Sequence, residues 1–235
     1  MNALHVAIQY NNTGVSLLES GRLDEGLDVF RGAAELMYIS TQSTKNQSSI
    51  SGSTASDEDE KILEVKAKLQ HIFDQPAPGS SMNGSSQQEN DCFLYHTAIR
   101  LPPPTDGQPP NTCAAESATV LFNMALAYHL GSPSPYRICP SLHNACTLYD
   151  MAYSVASRLS SEPVSQRVIC AALNNMGHLH HELGRYKASR EYLDNLSSYI
   201  VSLGRYAGDK TSKIERRQFL LNAMLLHRPR GAPAA

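Results

Sequence analysis

Asn175-Met176-Gly177-His178-Leu179-His180-His181-Glu182-Leu183-Gly184 is the stretch on which the fold turns. A small residue follows the asparagine by two positions, a second glycine comes seven residues later, and Ser189, Leu193 and Leu196 then fall at helical steps. The first glycine lets a neighbouring helix approach to the roughly 8–10 Å of packed helix pairs. The second suits a left-handed helix stop, where a side chain would be strained. The reading is therefore helix, tight turn, helix.

The same order recurs near the start of the chain, where Asn12-Thr13-Gly14 leads to Leu17, Gly21, Gly26, Phe30 and Ala33. It recurs again in the middle, where Asn123-Met124-Ala125 leads to Tyr128 and, after an insertion over 132–139, to Ala145, Tyr149 and Ala152. The insertion carries Ser132-Pro133-Ser134-Pro135 and belongs in the turn between two helices. In each unit Phe30, Tyr149 or Leu193 is expected to supply the large side chain of the second helix, and Ala33, Ala152 and Leu196 its next inward turn. Fixed-period repetition of this kind is the signature of stacked helix hairpins.

The pattern resembles the tetratricopeptide repeat (TPR), a helix hairpin of about 34 residues, over 7–40, 118–160 and 170–203. Gly26 replaces the usual alanine, His180 stands where a large apolar residue is usual, and no repeat ends in the usual proline. The resemblance implies an all-α, TPR-like antiparallel helix-hairpin solenoid of about three repeats. It also implies that the first helices line a concave groove. Carried over residue by residue, the groove positions include Asn11 and Asn12; Phe122, Asn123, Leu126 and His129; and Asn174, Asn175, His178 and His181. The sixth position is asparagine in all three repeats, and an amide offers both donor and acceptor to the backbone of an extended peptide. Asn12, Asn123 and Asn175 are accordingly the foremost binding candidates. The alternative is that these amides satisfy a neighbouring repeat. A clamp for a chaperone carboxylate is not expected, because such clamps need Lys or Arg at positions that hold Asn, Ala, Val and His here.

Between the repeats the composition changes. Residues 41–56 are polar, 75–91 are rich in Gly, Ser, Pro and Gln, and 102–111 are rich in Pro, so long disordered linkers are expected. An amphipathic helix is predicted over 57–74, with Ile62, Val65, Leu69 and Ile72 on one face. Ser56 before Asp57-Glu58-Asp59-Glu60 reads as an N-cap and as a candidate phosphosite. A final helix over 211–228 is expected to place Ile214, Leu221, Met224 and Leu225 inward and to serve as a solvating cap. The domain reading is thus a first hairpin at 1–40, a second at 115–160, a third at 164–204 and this cap.

One segment, Phe93-Leu94-Tyr95-His96-Thr97-Ala98-Ile99-Arg100-Leu101, favours extended structure but has no strand to pair with. Within the 92–114 region it is read as a strap on the helices. It either occupies part of the groove as an in-chain ligand or lies on the surface without regulatory effect.

The 235 residues are 41% hydrophobic and 18% charged, with no Trp and a net charge of −2. That balance excludes a strongly basic nucleic-acid binder as the dominant character. Residues 1–115 carry 14 acids and 7 bases, whereas 116–235 carry 8 acids and 13 bases. A helical-repeat nucleic-acid binder using Arg185, Lys187, Arg190, Arg216 and Arg217 is the second functional reading, and a purely structural subunit the third. No phosphate loop, dinucleotide fingerprint or nucleophile elbow is present, so catalysis is not expected. The run His178, His180, His181, Glu182 lacks zinc-protease or finger spacing and is read as groove or packing histidines, with no metal or cofactor expected. Five cysteines without paired spacing read as reduced thiols. With no leader or long apolar run, a cytoplasmic protein without membrane contact is expected. The favoured function is a non-catalytic protein-interaction adaptor or scaffold with a protein or peptide partner.

Overall fold

The computed structural model describes residues 3–48, 67–74, 93–103, 113–132, 140–159, 162–203 and 213–226, with α2 side chains described as far as Met37. These residues are all-helical apart from turns and one extended segment, and no strand occurs among them. In chain order the helices are α1 (Ala3–Glu19), α2 (Leu23–Ser48), α3 (described over 67–73), α4 (Cys113–Leu130), α5 (Pro140–Ser157), α6 (Pro163–Glu182), α7 (Tyr186–Leu203) and α8 (Lys213–Leu226).

The turns follow from the glycines. Gly21 (φ +77°) and Gly184 (φ +69°) are left-handed. After α1, the Gly21 N–H donates to the Leu18 carbonyl at 3.0 Å and Arg22 N–H to Leu17 at 2.9 Å. After α6, Gly184 and Arg185 repeat the arrangement onto His181 and His180. Both pairs satisfy carbonyls that a helix end would otherwise orphan. The chain then returns along itself. A Cβ on Gly14 would lie 2.6 Å from the Phe30 ring, while one on Gly26 would lie 3.4 Å from the Gly14 carbonyl oxygen and 3.7 Å from Leu17 Cβ. Positions later in α2 thus meet positions earlier in α1, so the pair is antiparallel. Gly177 sits under Leu193 in the same way, and the Ser189 hydroxyl donates to the Gly177 carbonyl at 2.7 Å.

The expected large residues Phe30, Tyr149 and Leu193, and the inner Ala33, Ala152 and Leu196, are all fully buried. Helix α2 packs on α4, α5 on α6 and α7 on α8, while α1 touches α4, α4 touches α6 and α6 touches α8. One continuous core results, running from Ala7 to Leu226. Ile72 of α3 is buried in it. Cys113 and Cys170 are buried and Cys146 half-buried, all three as thiols. Among the described residues no helix is long and apolar enough to cross a membrane.

Two expectations need correction. The linker read from residue 41 starts too early, because α2 continues to Ser48. Once a helix is nucleated by packing, each added residue gains a backbone bond, so polar sequence can extend it. The second correction concerns α8. Its buried stripe is Phe219, Asn222, Ala223 and Leu226, whereas Ile214 (81%), Leu221 (47%), Met224 (71%) and Leu225 (42%) are exposed. Both faces of α8 are apolar. Polar satisfaction selects between them, because only the Asn222 face supplies an amide to a buried carbonyl. Of the other linker residues only 102 and 103 are described; Ser56 and 57–66 of the predicted amphipathic helix lie outside the described residues.

Candidate functional site

The extended segment 95–101 lies across α6, α4 and α1, held by one asparagine from each. Asn175 Oδ1 accepts from Tyr95 N–H at 2.8 Å and its Nδ2 donates to the Tyr95 carbonyl at 3.0 Å. Asn123 does the same for Ile99, with both bonds 2.9 Å. Asn12 does so for Leu101, with both bonds 2.8 Å. In an extended residue the N–H and C=O point to the same side, so one planar amide meets both as a neighbouring strand would. The overall reach of the segment fits three helices. Six residues from Tyr95 to Leu101 span about 20 Å at roughly 3.3 Å each, and three helices 8–10 Å apart span about 16–20 Å.

A second tier of amides closes the network. Asn11 Nδ2 donates to the Ile99 carbonyl at 3.1 Å, and Asn11 Oδ1 accepts from Asn123 Nδ2 at 2.9 Å. Asn174 Nδ2 donates to the Phe93 carbonyl at 2.8 Å. Asn222 Nδ2 donates to the same carbonyl at 2.9 Å and to Asn174 Oδ1 at 3.0 Å. Asn11, Asn123, Asn174 and Asn175 are fully buried, so each unmade bond would carry a desolvation cost.

Side chains of the segment are held differently. Leu94, Ala98, Ile99 and Leu101 are buried, and His96 and Arg100 project outward. The Tyr95 ring packs 5.1 Å from Phe219 and 6.3 Å from Phe122, centroid to centroid. Its hydroxyl donates to Glu215 Oε1 at 3.0 Å and accepts from Arg167 Nε at 2.9 Å, while Arg167 bonds the same carboxylate at 2.6 Å. Burial first, with Glu215 adding and Arg167 opposing, pushes the Tyr95 phenol up to about 12. Arg100 reaches Glu19 at 2.5 Å and Ser16 Oγ at 3.2 Å; this exposed pair adds little.

The expected groove residues thus divide. Asn11, Asn12, Asn123, Asn174 and Asn175 hold the backbone, Phe122 meets Tyr95, and the His178 ring lies 6.5 Å from that of Phe93. Leu126 is fully buried in the core. His129 lies at the far end of α4, its Nδ1 3.4 Å from the Tyr149 hydroxyl. His181 packs edge-on against Tyr186. His180 is stacked on Tyr192 at 5.2 Å, and burial, then Arg185, push its imidazole below the ordinary value. The histidine run is therefore split, and His178 approaches His129 of another helix rather than His181.

The sequence reading overlooked Asn222, although a signal was available. Asn12 precedes Gly21, and Asn175 precedes Gly184, by the same nine residues that separate Asn222 from Gly231. Glu215 and Arg167 carried no such signal, because their partner Tyr95 is remote in sequence. In comparisons with known proteins, no family model matches the chain, and neither a curated protein nor a solved structure shows significant similarity to it.

Proposed function

We propose that the chain is a TPR-like solenoid of about three hairpins that acts as a non-catalytic protein-interaction adaptor. Its first helices form a groove for an extended peptide, and the segment 93–101 is the resident ligand of that groove. The observation that supports this reading is the set of paired amide bonds from Asn12, Asn123 and Asn175 to Leu101, Ile99 and Tyr95. Such bonds address backbone, so affinity comes from the asparagine row and selectivity from the pockets of Tyr95, Ile99 and Leu101. A partner peptide with apolar residues at those places, and a hydroxyl-bearing ring between Arg167 and Glu215, fits the same seat.

The test uses a labelled peptide of residues 92–103 in trans. In a full-length variant carrying Ile99→Pro and Leu101→Pro, the in-chain segment loses two N–H donors. This variant should bind the peptide at least tenfold more tightly than the parent chain. Adding Asn123→Ala and Asn175→Ala should abolish the gain. Because the bonds are neutral, affinity should change little with salt, whereas a nucleic-acid surface would show a steep slope. No peptide binding by a folded variant, or unfolding of the variant, would show that the segment is a permanent structural element and would overturn the adaptor reading.

A further inference from the structure

We propose that His129, His178 and Glu182 form a binding site for a divalent transition metal ion of the zinc class. His129 lies in the last turn of α4, and His178 and Glu182 lie one turn apart on α6, hence on one face. Packing of α4 on α6 brings the three together. Glu182 Oε2 is 3.9 Å from His129 Nε2 and Oε1 is 3.7 Å from His178 Nε2, and the three ligand atoms all lie within 4.8 Å of one another. The side chains are 6%, 3% and 12% exposed.

Two imidazoles and one carboxylate match zinc and its neighbours in donor type, with a fourth position left for water or a partner's side chain. At metal–ligand distances of about 2.0–2.1 Å, neighbouring donors in a tetrahedron are about 3.4 Å apart, so closing the site from separations of up to 4.8 Å shortens them by at most about 1.4 Å. The surroundings supply orientation. The Tyr149 hydroxyl lies 3.4 Å from His129 Nδ1 and accepts from Asn175 Nδ2 at 3.1 Å. This contact fixes the ring so that Nε2 faces the carboxylate, and a metal at Nε2 takes the tautomer with its proton on Nδ1, the one in which ligating histidines are commonly held. The Phe93 ring is tilted against that of His178, 6.5 Å between centroids.

The test reads metal alone and uses no peptide. Chelator-treated full-length protein is titrated with ZnCl2 by calorimetry and with CoCl2 by visible absorption. One zinc per chain and the intense bands of four-coordinate cobalt are expected, with a rise in Tm on adding zinc. Glu182→Gln, nearly isosteric and near the end of its helix, should leave the metal-free Tm in place. It should weaken zinc binding by about 100-fold or more, since loss of even an outer-shell partner costs about 10–100-fold. His129→Ala should do the same, and His181→Ala should not. Absence of stoichiometric zinc binding, a six-coordinate cobalt spectrum, or equal affinity in Glu182→Gln and the parent chain would overturn the proposal. So would an equal loss in His181→Ala, which would assign binding to the histidine run of α6.

Discussion

Asn123 and Ile99 exchange two hydrogen bonds of 2.9 Å across 24 residues of sequence, the amide of a helix serving as the missing neighbour strand of an extended segment. The same Nδ2 also donates to Asn11 Oδ1, so this one side chain joins α1, α4 and the strap.

Asn123→Ala should therefore be among the costliest of the asparagine substitutions. It strands the buried Ile99 N–H and the Asn11 oxygen and leaves the Ile99 carbonyl to Asn11 Nδ2 alone, at about 2–3 kcal/mol. Asn12→Ala, at a half-buried position where water can enter, should cost about 1 kcal/mol. Urea denaturation of the two variants checks both the size and the order.

The glycine contacts set a second expectation. Gly177→Ala gains about 1 kcal/mol in helix propensity, but its Cβ would lie 2.6 Å from Leu193 Cδ2 and 2.8 Å from Cγ. Overpacking of a filled core costs about 1–3 kcal/mol, so the net change should be a loss of up to about 2 kcal/mol. Combining it with Leu193→Ala should give less than the sum of the two single losses, because shortening Leu193 removes the atoms the new Cβ would meet. Thermal melts of the four chains provide the cycle.

On α8, burial separates two kinds of apolar residue. Ile214→Gln and Met224→Gln should change stability by no more than about 0.5 kcal/mol, as exposed substitutions do. Phe219→Ala, at a fully buried ring beneath Tyr95, should cost about 3–5 kcal/mol. Chemical denaturation distinguishes this from the reverse order that the sequence pattern of α8 suggests.

Tyr95 makes the strap sensitive to alkali. Its phenol is held near 12 when folded against an ordinary value of 10.0, so the folded chain keeps a proton that the unfolded chain releases. That contribution to stability is whole below about pH 10 and is lost as pH rises from there to about 12. Tyr95→Phe should reduce the fall in urea midpoint between pH 9 and pH 11.5. Tyr149, pushed upward by its own burial, should keep a residual fall in place.

Much of this architecture is legible locally. Gly21 and Gly184 announce helix stops because only a residue without Cβ takes positive φ without strain. Gly14 and Gly177 announce close crossings, and the large residue that fills each crossing follows sixteen positions later in the same hairpin. The asparagines at 12, 123 and 175 stand out because an amide recurring in register needs a recurring partner. The α8 face was not legible in this way. Ile214, Leu221, Met224 and Leu225 form as good an apolar stripe as Phe219, Ala223 and Leu226. What decides between them is the Phe93 carbonyl, 129 residues from Asn222. The meeting of His129 with His178 and Glu182 likewise depends on α4 packing against α6.

The sequence by itself determined most of the described helices, the two glycine turns, the pairing within the hairpins and the extended character of 95–101, because periodicity, glycine conformation and residue volume act over a few turns. Only the tertiary structure decided what the asparagines hold, which side of α8 is covered and which histidines converge. Those outcomes depend on hydrogen bonds and packing between residues far apart in the chain, where a buried polar group accepts whichever partner the assembled helices bring to it.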